Sequence, residues 1–148
     1  MSERPRISVA IPARDQRQRL ADTLESIAAS DFDLGQVEVV VVDDEVLSPT
    51  CTVDLARQIV RLAGTESYGL FHATAAGGCS WFEFAHAIFE LSGVSVDLEI
   101  AAPGEFPYKA PRPAYSVLES RRLEQLGLST MPAWRDGLQG HLEAIADV

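Results

Sequence analysis

Hydrophobic positions in the first third of the chain form two patterns: short continuous runs, and a recurrence at helical spacing. Residues 7–11 (ISVAI) and 37–42 (VEVVVV) are short runs rich in β-branched side chains, which is typical of buried strands. Between them, Leu20, Leu24 and Ile27 recur at helical spacing on one face. The order strand, helix, strand predicts a parallel βαβ unit with a covered sheet.

Helices and strands are predicted to continue after this unit. A helix is expected over residues 53–62, with Thr52 as its cap, and residues 68–74 (YGLFHAT) are expected to form a third strand. Alternating apolar and acidic positions over residues 96–100 predict a half-exposed strand.

Helix boundaries are marked most clearly in the second half of the chain. Ser80 and Glu83 have the spacing of a capping box, and Gly93 suits the left-handed residue that ends a helix. Further helices are expected over about 119–126, ended by Gly127, and from Ala133 onward. The whole pattern predicts an α/β fold with a small parallel sheet.

The composition and net charge of the chain exclude some classes of binding partner. The chain has 148 residues, enough for one hydrophobic core, and a formal net charge of −10. Such acidity is unfavourable for nucleic-acid binding, because a phosphate backbone attracts a basic surface. No run approaches the roughly 20 apolar residues of a membrane helix, and no signal peptide is visible. We expect a cytoplasmic protein that binds neither nucleic acid nor membrane.

The sequence lacks the motifs of dinucleotide-dependent redox catalysis. The turn at residues 12–15 (PARD) has no glycine where a backbone would approach a pyrophosphate. A Tyr-x-x-x-Lys pair is absent, since the single lysine, Lys109, directly follows Tyr108. The histidines are scattered, and the cysteines lack metal-ligand spacing. We therefore expect no catalytic residue, no metal site and no cofactor in this chain.

Two features leave a ligand role open. Asp43 and Asp44 follow the second strand, at the end where α/β sheets bind ligands, but they also suit a polar strand end that caps a loop. Arg112 lies between Pro111 and Pro113. This placement suits a preorganised guanidinium for phosphate recognition, or an arginine on the surface of a rigid loop.

From about residue 40 to its end, the chain resembles the C-terminal part of dTDP-4-dehydrorhamnose reductases. These extended short-chain dehydrogenases reduce a 4-keto sugar nucleotide with NADPH or NADH. Three segments and a terminal W-x-x-x-L helix carry the resemblance in family order: VVDDEVLSPTCTVDLA (41–56), YGLFHATAAGGCSWFEFAHAIFELSG (68–93) and FPYKAPRPAYSVLESRRLEQLG (106–127). The resemblance implies a truncated Rossmann-like fold that carries the substrate-binding lobe and binds a dTDP-sugar.

This resemblance also implies roles for individual residues. Ser48, Pro49 and Thr50 would lie on the substrate side, and Arg112 with Ser116 would belong to the signature that closes the lobe.

The chain departs from the family pattern near these residues. Leu47 stands where the family usually has glycine, and Glu45 stands where glutamine is common. The family's glycine fingerprint and Tyr-x-x-x-Lys pair belong to its upstream part, which this sequence does not match.

Residues 1–44 instead resemble the start of a family 2 glycosyltransferase, through ISVAIPARDQRQRLADTLESI and VEVVVVDD. That resemblance implies that Asp43 or Asp44 helps hold a nucleotide base, although the family's metal-binding Asp-x-Asp is absent. We expect residues 1–44 and 45–148 to form one compact domain.

The favoured hypothesis is a sugar-nucleotide-binding domain without autonomous reductase activity. The alternatives are a non-catalytic structural or interaction module and a glycosyltransferase fragment. Assembly as a homo-oligomer or with a partner subunit is compatible with each of them.

Overall fold

The structure is a computed structural model and describes residues 7–9, 37–105 and 112–146. Within these ranges the strands are β1 (Ile7–Val9), β2 (Val37–Val41), β3 (Val46–Leu47), β4 (Cys79–Ser80) and β5 (Asp97–Ile100). The helices are α1 (Thr52–Ala63), α2 (Trp81–Ser92), α3 (Arg121–Gln125) and α4 (Trp134–Ala146). The predicted α/β class with a small parallel sheet is confirmed. The helix expected around Leu20, Leu24 and Ile27 lies outside the described residues.

The three strands β1, β2 and β5 form a parallel sheet with β2 in the centre. Ile7 is in register with Val37 at one edge, and Val41 is in register with Ile100 at the other. The predicted parallel pairing of the first two strands is confirmed, as is the strand predicted over residues 96–100. β2 therefore has a strand on each side, as its run of valines suggests.

The strand predicted over residues 68–74 is wrong. This segment is irregular, and the side chains of Tyr68 and Leu70 are 81% and 78% exposed. Between them, Gly69 has a φ of +122°, a conformation that L side chains rarely adopt. The Arg122 guanidinium donates to the carbonyl oxygens of Tyr68 and Leu70, at 2.7 and 3.3 Å. A side chain thus binds carbonyl groups that would bond to a neighbouring strand if this segment belonged to a sheet. The strand that pairs with β2 is β5.

Helix α2 covers one face of the sheet. Val39 from β2 and Phe89 from α2 are the buried centre of this layer. Partly buried apolar side chains surround them: Val41, Ala85, Val94, Val96 and Leu98. The sheet and α2 are therefore joined through apolar contact.

The predicted ends of α2 are confirmed. The Ser80 hydroxyl accepts from the Glu83 backbone N–H at 3.1 Å, and the Glu83 carboxylate accepts from the Ser80 N–H at 2.8 Å. Gly93 ends the helix with a φ of +67°. Each signal depends only on nearby residues, which is why the sequence shows it.

Helix α1 begins one position earlier than expected. Cys51 is its N-cap, and its carbonyl oxygen accepts from the Leu55 N–H at 3.0 Å, so Thr52 is the first helical residue and not the cap. The helix ends at Ala63 and is followed by Gly64. Buried Gln58 donates to the Leu128 carbonyl at 3.1 Å, which joins α1 to the segment after α3.

The last two helices match their predicted positions closely. α3 is shorter than expected and is followed by Gly127 with a φ of +65°. α4 begins at Trp134, and Arg135 donates to Glu90 on α2 at 2.8 Å, which lowers the pKa of that carboxyl group.

None of the helices in the described part of the chain combines the length and apolar character needed to cross a bilayer.

Candidate functional site

Two segments that are far apart in sequence meet at strand β3. The Val46 N–H donates to the Ala114 carbonyl at 2.8 Å, and the Ser116 N–H donates to the Val46 carbonyl at 2.9 Å. These bonds form a parallel bridge between Val46 and Tyr115. On its other side, β3 pairs antiparallel with β4. We call residues 43–50, 75–81 and 112–116 the β3 surface.

The predicted site residues Ser48, Pro49 and Thr50 follow β3 directly. The Ser48 hydroxyl donates to the Gly77 carbonyl at 2.8 Å. The Thr50 hydroxyl donates to the Ser48 carbonyl at 3.0 Å and accepts from the Ala75 N–H at 3.1 Å. Pro49 is buried. These three residues therefore fix the shape of the loop after β3 by attaching it to residues 75–77.

The two glycines in this neighbouring segment have different explanations. A Cβ atom on Gly78 would lie 2.5 Å from a methyl group of Val117 and 3.2 Å from the Leu47 carbonyl oxygen. Since this space is filled by protein, Gly78 serves the packing of β4 against its neighbours, whereas Gly77 has a φ of +78°, which favours glycine. Leu47, the residue that replaces the family's usual glycine, pairs with Cys79 of β4.

The predicted site residue Ser116 lies in the exposed segment that is bridged to β3. Its hydroxyl donates to the Val46 carbonyl at 3.2 Å, while the neighbouring Tyr115 side chain is exposed. Arg112 begins the same segment, and its side chain is 37% exposed. The structure thus brings Arg112 and Ser116 together with the loop of Ser48, as members of one surface.

Arg112 faces the carboxylate of Glu45. Its Nη1 atom lies 3.7 Å from Glu45 Oε1, and the Glu45 side chain is only 14% exposed. The other oxygen, Oε2, accepts from the Trp81 indole N–H at 3.4 Å. Glu45 Oε1 is buried and has no hydrogen-bond partner among the described residues, although the Arg112 guanidinium is close. A buried carboxylate oxygen without a hydrogen bond is unusual in folded proteins.

Neither Glu45 nor Trp81 is identified as a site residue by the sequence pattern. Two signals in the sequence could have indicated Glu45: it extends the acidic pair after β2, and it stands where glutamine is common in the family. Trp81 lies within the capping box of α2 and has the spacing of an apolar helix position. This spacing does not indicate that its indole N–H binds Glu45.

Val42 separates the end of β2 from Asp43 and Asp44, which are both exposed. They therefore occupy the strand end that the sequence predicts, and a ligand role for them stays a prediction. They directly precede Glu45 in the chain, so they lie at one end of the segment 43–50 of the β3 surface.

The thiols differ in their surroundings. Burial, with a smaller effect of the Glu83 carboxylate, raises the pKa of Cys79 to about 12, so this thiol stays protonated at neutral pH. Cys51 is half-buried at the start of α1. Among the described residues, no three His, Cys, Asp or Glu side chains are grouped in a way that could hold a metal ion.

Comparison with known proteins identifies the family. Residues 16–146 match the family model of the RmlD substrate binding domain. The chain is 41% identical over 106 residues to the spore coat polysaccharide biosynthesis protein SpsK of Bacillus subtilis, covering 72% of this chain and 37% of that protein. It is 39% identical over 127 residues to a dTDP-4-dehydrorhamnose reductase of Mycolicibacterium smegmatis, covering 83% of this chain and 37% of the reductase.

Solved structures agree with this assignment. A dTDP-4-dehydrorhamnose reductase from Clostridium acetobutylicum aligns with a TM-score of 0.74 and 31% identity, over 94% of this chain and 47% of that one. The Bacillus anthracis enzyme, solved in complex with NADP, aligns with a TM-score of 0.65 and 39% identity, over 69% of this chain and 36% of that one.

The match covers most of the chain but only a part of each relative. It begins at residue 16, within the segment that resembles a glycosyltransferase start, and the boundary expected after residue 44 stays a prediction. The chain spans a little over one third of the length of the curated relatives. On the family match over residues 16–146, this chain belongs to the RmlD substrate-binding domain family.

Proposed function

We propose that this chain binds a sugar nucleotide of the dTDP-4-dehydrorhamnose type at the β3 surface. The observation that carries the proposal is the pairing of β3 with residues 114–116, which joins the two segments expected to bind substrate. In this arrangement the Arg112 guanidinium lies at the surface, and the Ser116 hydroxyl holds the segment 112–116 against the Val46 carbonyl. Ser48, Pro49 and Thr50 act by fixing the loop beside them.

We further propose that the chain does not transfer hydride by itself. The relatives named as reductases are more than twice as long as the segment they share with it. The sequence contains neither a glycine-rich dinucleotide turn nor a Tyr-x-x-x-Lys pair. We therefore expect that hydride transfer would need a partner subunit that supplies the cofactor site and the proton donor.

Calorimetric titration tests both parts of the proposal. Separate titrations of dTDP-rhamnose, UDP-glucose and NADPH into the purified chain should give heat with the dTDP-sugar and none with NADPH. Substitution Arg112→Ala should weaken dTDP-rhamnose binding about tenfold, because a hydrogen bond from a charged donor is lost.

Arg121→Ala is the matched control. Arg121 is also an exposed arginine with a carboxylate partner, Glu119 at 2.8 Å, but it lies on α3. Its substitution should leave binding unchanged. Absence of heat with every ligand would favour the non-catalytic structural module, and tight NADPH binding would contradict the proposed lack of a cofactor site.

A further inference from the structure

Helix α1 has an apolar face that is open to solvent in the described part of the chain. Its central side chain, Val60, is 73% exposed, and no charged residue lies on this face. Buried Gln58, on the opposite side of the helix, attaches α1 to the rest of the chain. Five exposed residues within about 120° of the helix circumference form what we call the outer face of α1: Val53, Ala56, Ile59, Val60 and Ala63.

We propose that the outer face is a self-association site, at which α1 of one copy of the chain packs antiparallel against α1 of a second copy. The twofold axis of this pair lies at the level of residue 58. The interaction is separate from the proposed sugar-nucleotide binding, which involves the β3 surface. It is supported by the spacing and size of the apolar side chains and by the charges beside them.

The apolar side chains have a symmetric spacing. Val53, Ala56, Val60 and Ala63 follow one another at intervals of three, four and three residues. An antiparallel pair centred at residue 58 therefore brings Val53 level with Ala63 of the second copy, and Ala56 level with Val60 of the second copy. Each contact sets a large side chain against a small one, which lets the two helices approach closely. A twofold interface requires such self-complementarity, because every contact is made twice.

The charges also favour association at α1. The chain has a formal net charge of −10, so two copies repel each other over much of their surface. Helix α1, in contrast, contains two arginines, Arg57 and Arg61, and one carboxylate, Asp54. In the antiparallel pair, Arg61 lies within one residue of the level of Asp54 of the second copy, on the same side of the outer face. Opposite charges therefore flank the apolar contact.

The length of α1 limits the strength of this association. The helix has 12 residues and is about 18 Å long. A single pair of such helices buries less area than the roughly 1,200 Å² at which standard protein interfaces begin. We therefore expect a dimer with a Kd in the micromolar range, which dissociates when the protein is diluted.

Analytical ultracentrifugation of the full chain at micromolar to submillimolar concentrations tests the association. The average mass should rise from that of one chain toward that of two. Val60→Glu places a carboxylate inside the apolar contact and should keep the chain monomeric. Leu118→Glu, at a position that is 47% exposed outside α1, is the control and should dimerise like wild type. Circular dichroism checks that both variants fold. A wild-type chain that stays monomeric, which would leave the outer face to a different protein, would overturn the proposal, as would a dimer that Val60→Glu does not weaken.

Disulfide cross-linking tests the antiparallel arrangement. Val53→Cys and Ala63→Cys are made separately in a Cys51→Ala background, which keeps only the buried native thiol, Cys79. Thiols at positions 53 and 63 of different copies should face each other, whereas two thiols at the same position lie about 15 Å apart along the axis. Oxidation should therefore cross-link a mixture of the two variants, and neither variant alone. Equal cross-linking of each variant alone, or none in the mixture where ultracentrifugation shows a dimer, would contradict this arrangement.

Discussion

The sheet layer and the β3 surface are stabilised by different forces. In the sheet layer, Val39 and Phe89 form an apolar centre between β2 and α2. Around the β3 surface, side-chain hydroxyls bind backbone groups of other segments, as Ser48 does with Gly77 and Thr50 with Ala75. The first region depends on apolar burial, and the second depends on directional hydrogen bonds.

A second polar contact in the loop-rich part of the chain shows the same principle. The Ser120 hydroxyl accepts from the Thr74 N–H at 3.2 Å and donates to the Thr74 carbonyl at 3.3 Å. The Thr74 hydroxyl in turn donates to the Leu118 carbonyl at 2.9 Å. Segments without regular secondary structure can thus be held in defined positions, which a binding surface made from loops requires.

The largest loss of stability should come from a substitution at the apolar centre of the sheet layer. Phe89→Ala should lower the free energy of unfolding by about 3–5 kcal/mol, because it removes a buried ring and leaves a cavity beside Val39. Urea denaturation followed by circular dichroism measures this change. Phe89→Leu, which retains much of the apolar volume, should cost less. A loss below 1 kcal/mol for the alanine variant would show that the apolar centre does not stabilise this layer.

A buried amide tests the polar region. Gln58 donates to the Leu128 carbonyl, and its Oε1 accepts from the Thr130 N–H at 2.7 Å and the Thr130 hydroxyl at 3.0 Å. Gln58→Ala should lower the free energy of unfolding by about 2 kcal/mol, since these partners lose their bonds and a small cavity remains. Gln139→Ala, at an exposed position on α4, is the control and should have little effect. Equal effects of the two substitutions would refute the role of the buried amide.

The capping box lies where the two regions meet, since Ser80 belongs to both β4 and the start of α2. Ser80→Ala should lower the free energy of unfolding by about 1 kcal/mol, because the Glu83 N–H loses its acceptor. Ser80→Thr retains a hydroxyl and should cost less than Ser80→Ala. Thermal unfolding of the three proteins at one pH gives the comparison, and an unchanged Tm for the alanine variant would exclude a stabilising cap.

The smallest change in stability should come from the acidic residues on β2 and β5. The Glu38 carboxylate, through its charge and a hydrogen bond, raises the pKa of Glu99, and Asp97 adds a smaller effect. The folded chain therefore holds this proton to higher pH than the unfolded chain. The resulting stabilisation is fully present below the ordinary value of 4.5 and is lost as pH rises through the raised pKa.

Glu99→Gln should accordingly raise the Tm at pH 7, with a difference from wild type that vanishes below about pH 4. Thermal unfolding over a pH series measures this difference. Glu66→Gln, an exposed position after α1, is the control. A Tm difference that grows as the pH falls would contradict the sign of the shift.

The sequence predicts local features of this fold better than contacts between distant segments. The capping box at Ser80 and the helix end at Gly93 follow from residues within one turn, and both are confirmed. The strand predicted over residues 68–74 fails because Arg122, far away in sequence, binds the carbonyl groups of that segment. Propensity within a short run cannot anticipate such a contact.

The candidate site shows the same limit. The resemblance brings Arg112 and Ser48 into consideration together, but the contact of Arg112 with Glu45 depends on the return of the chain to β3. Trp81 has an apolar environment on one side and a polar contact on the other, which its helical spacing does not reveal. The sequence therefore predicts the members of the surface more completely than their arrangement.

Hydrogen–deuterium exchange with and without saturating dTDP-rhamnose tests most directly whether the ligand binds at the β3 surface. Binding there should slow exchange in peptides that cover residues 43–50 and 112–118, and leave the central strand Val37–Val41 and its neighbour Asp97–Ile100 unchanged. Protection confined to those two strands, or unchanged exchange at 43–50 and 112–118 under conditions where calorimetry shows binding, would contradict the account.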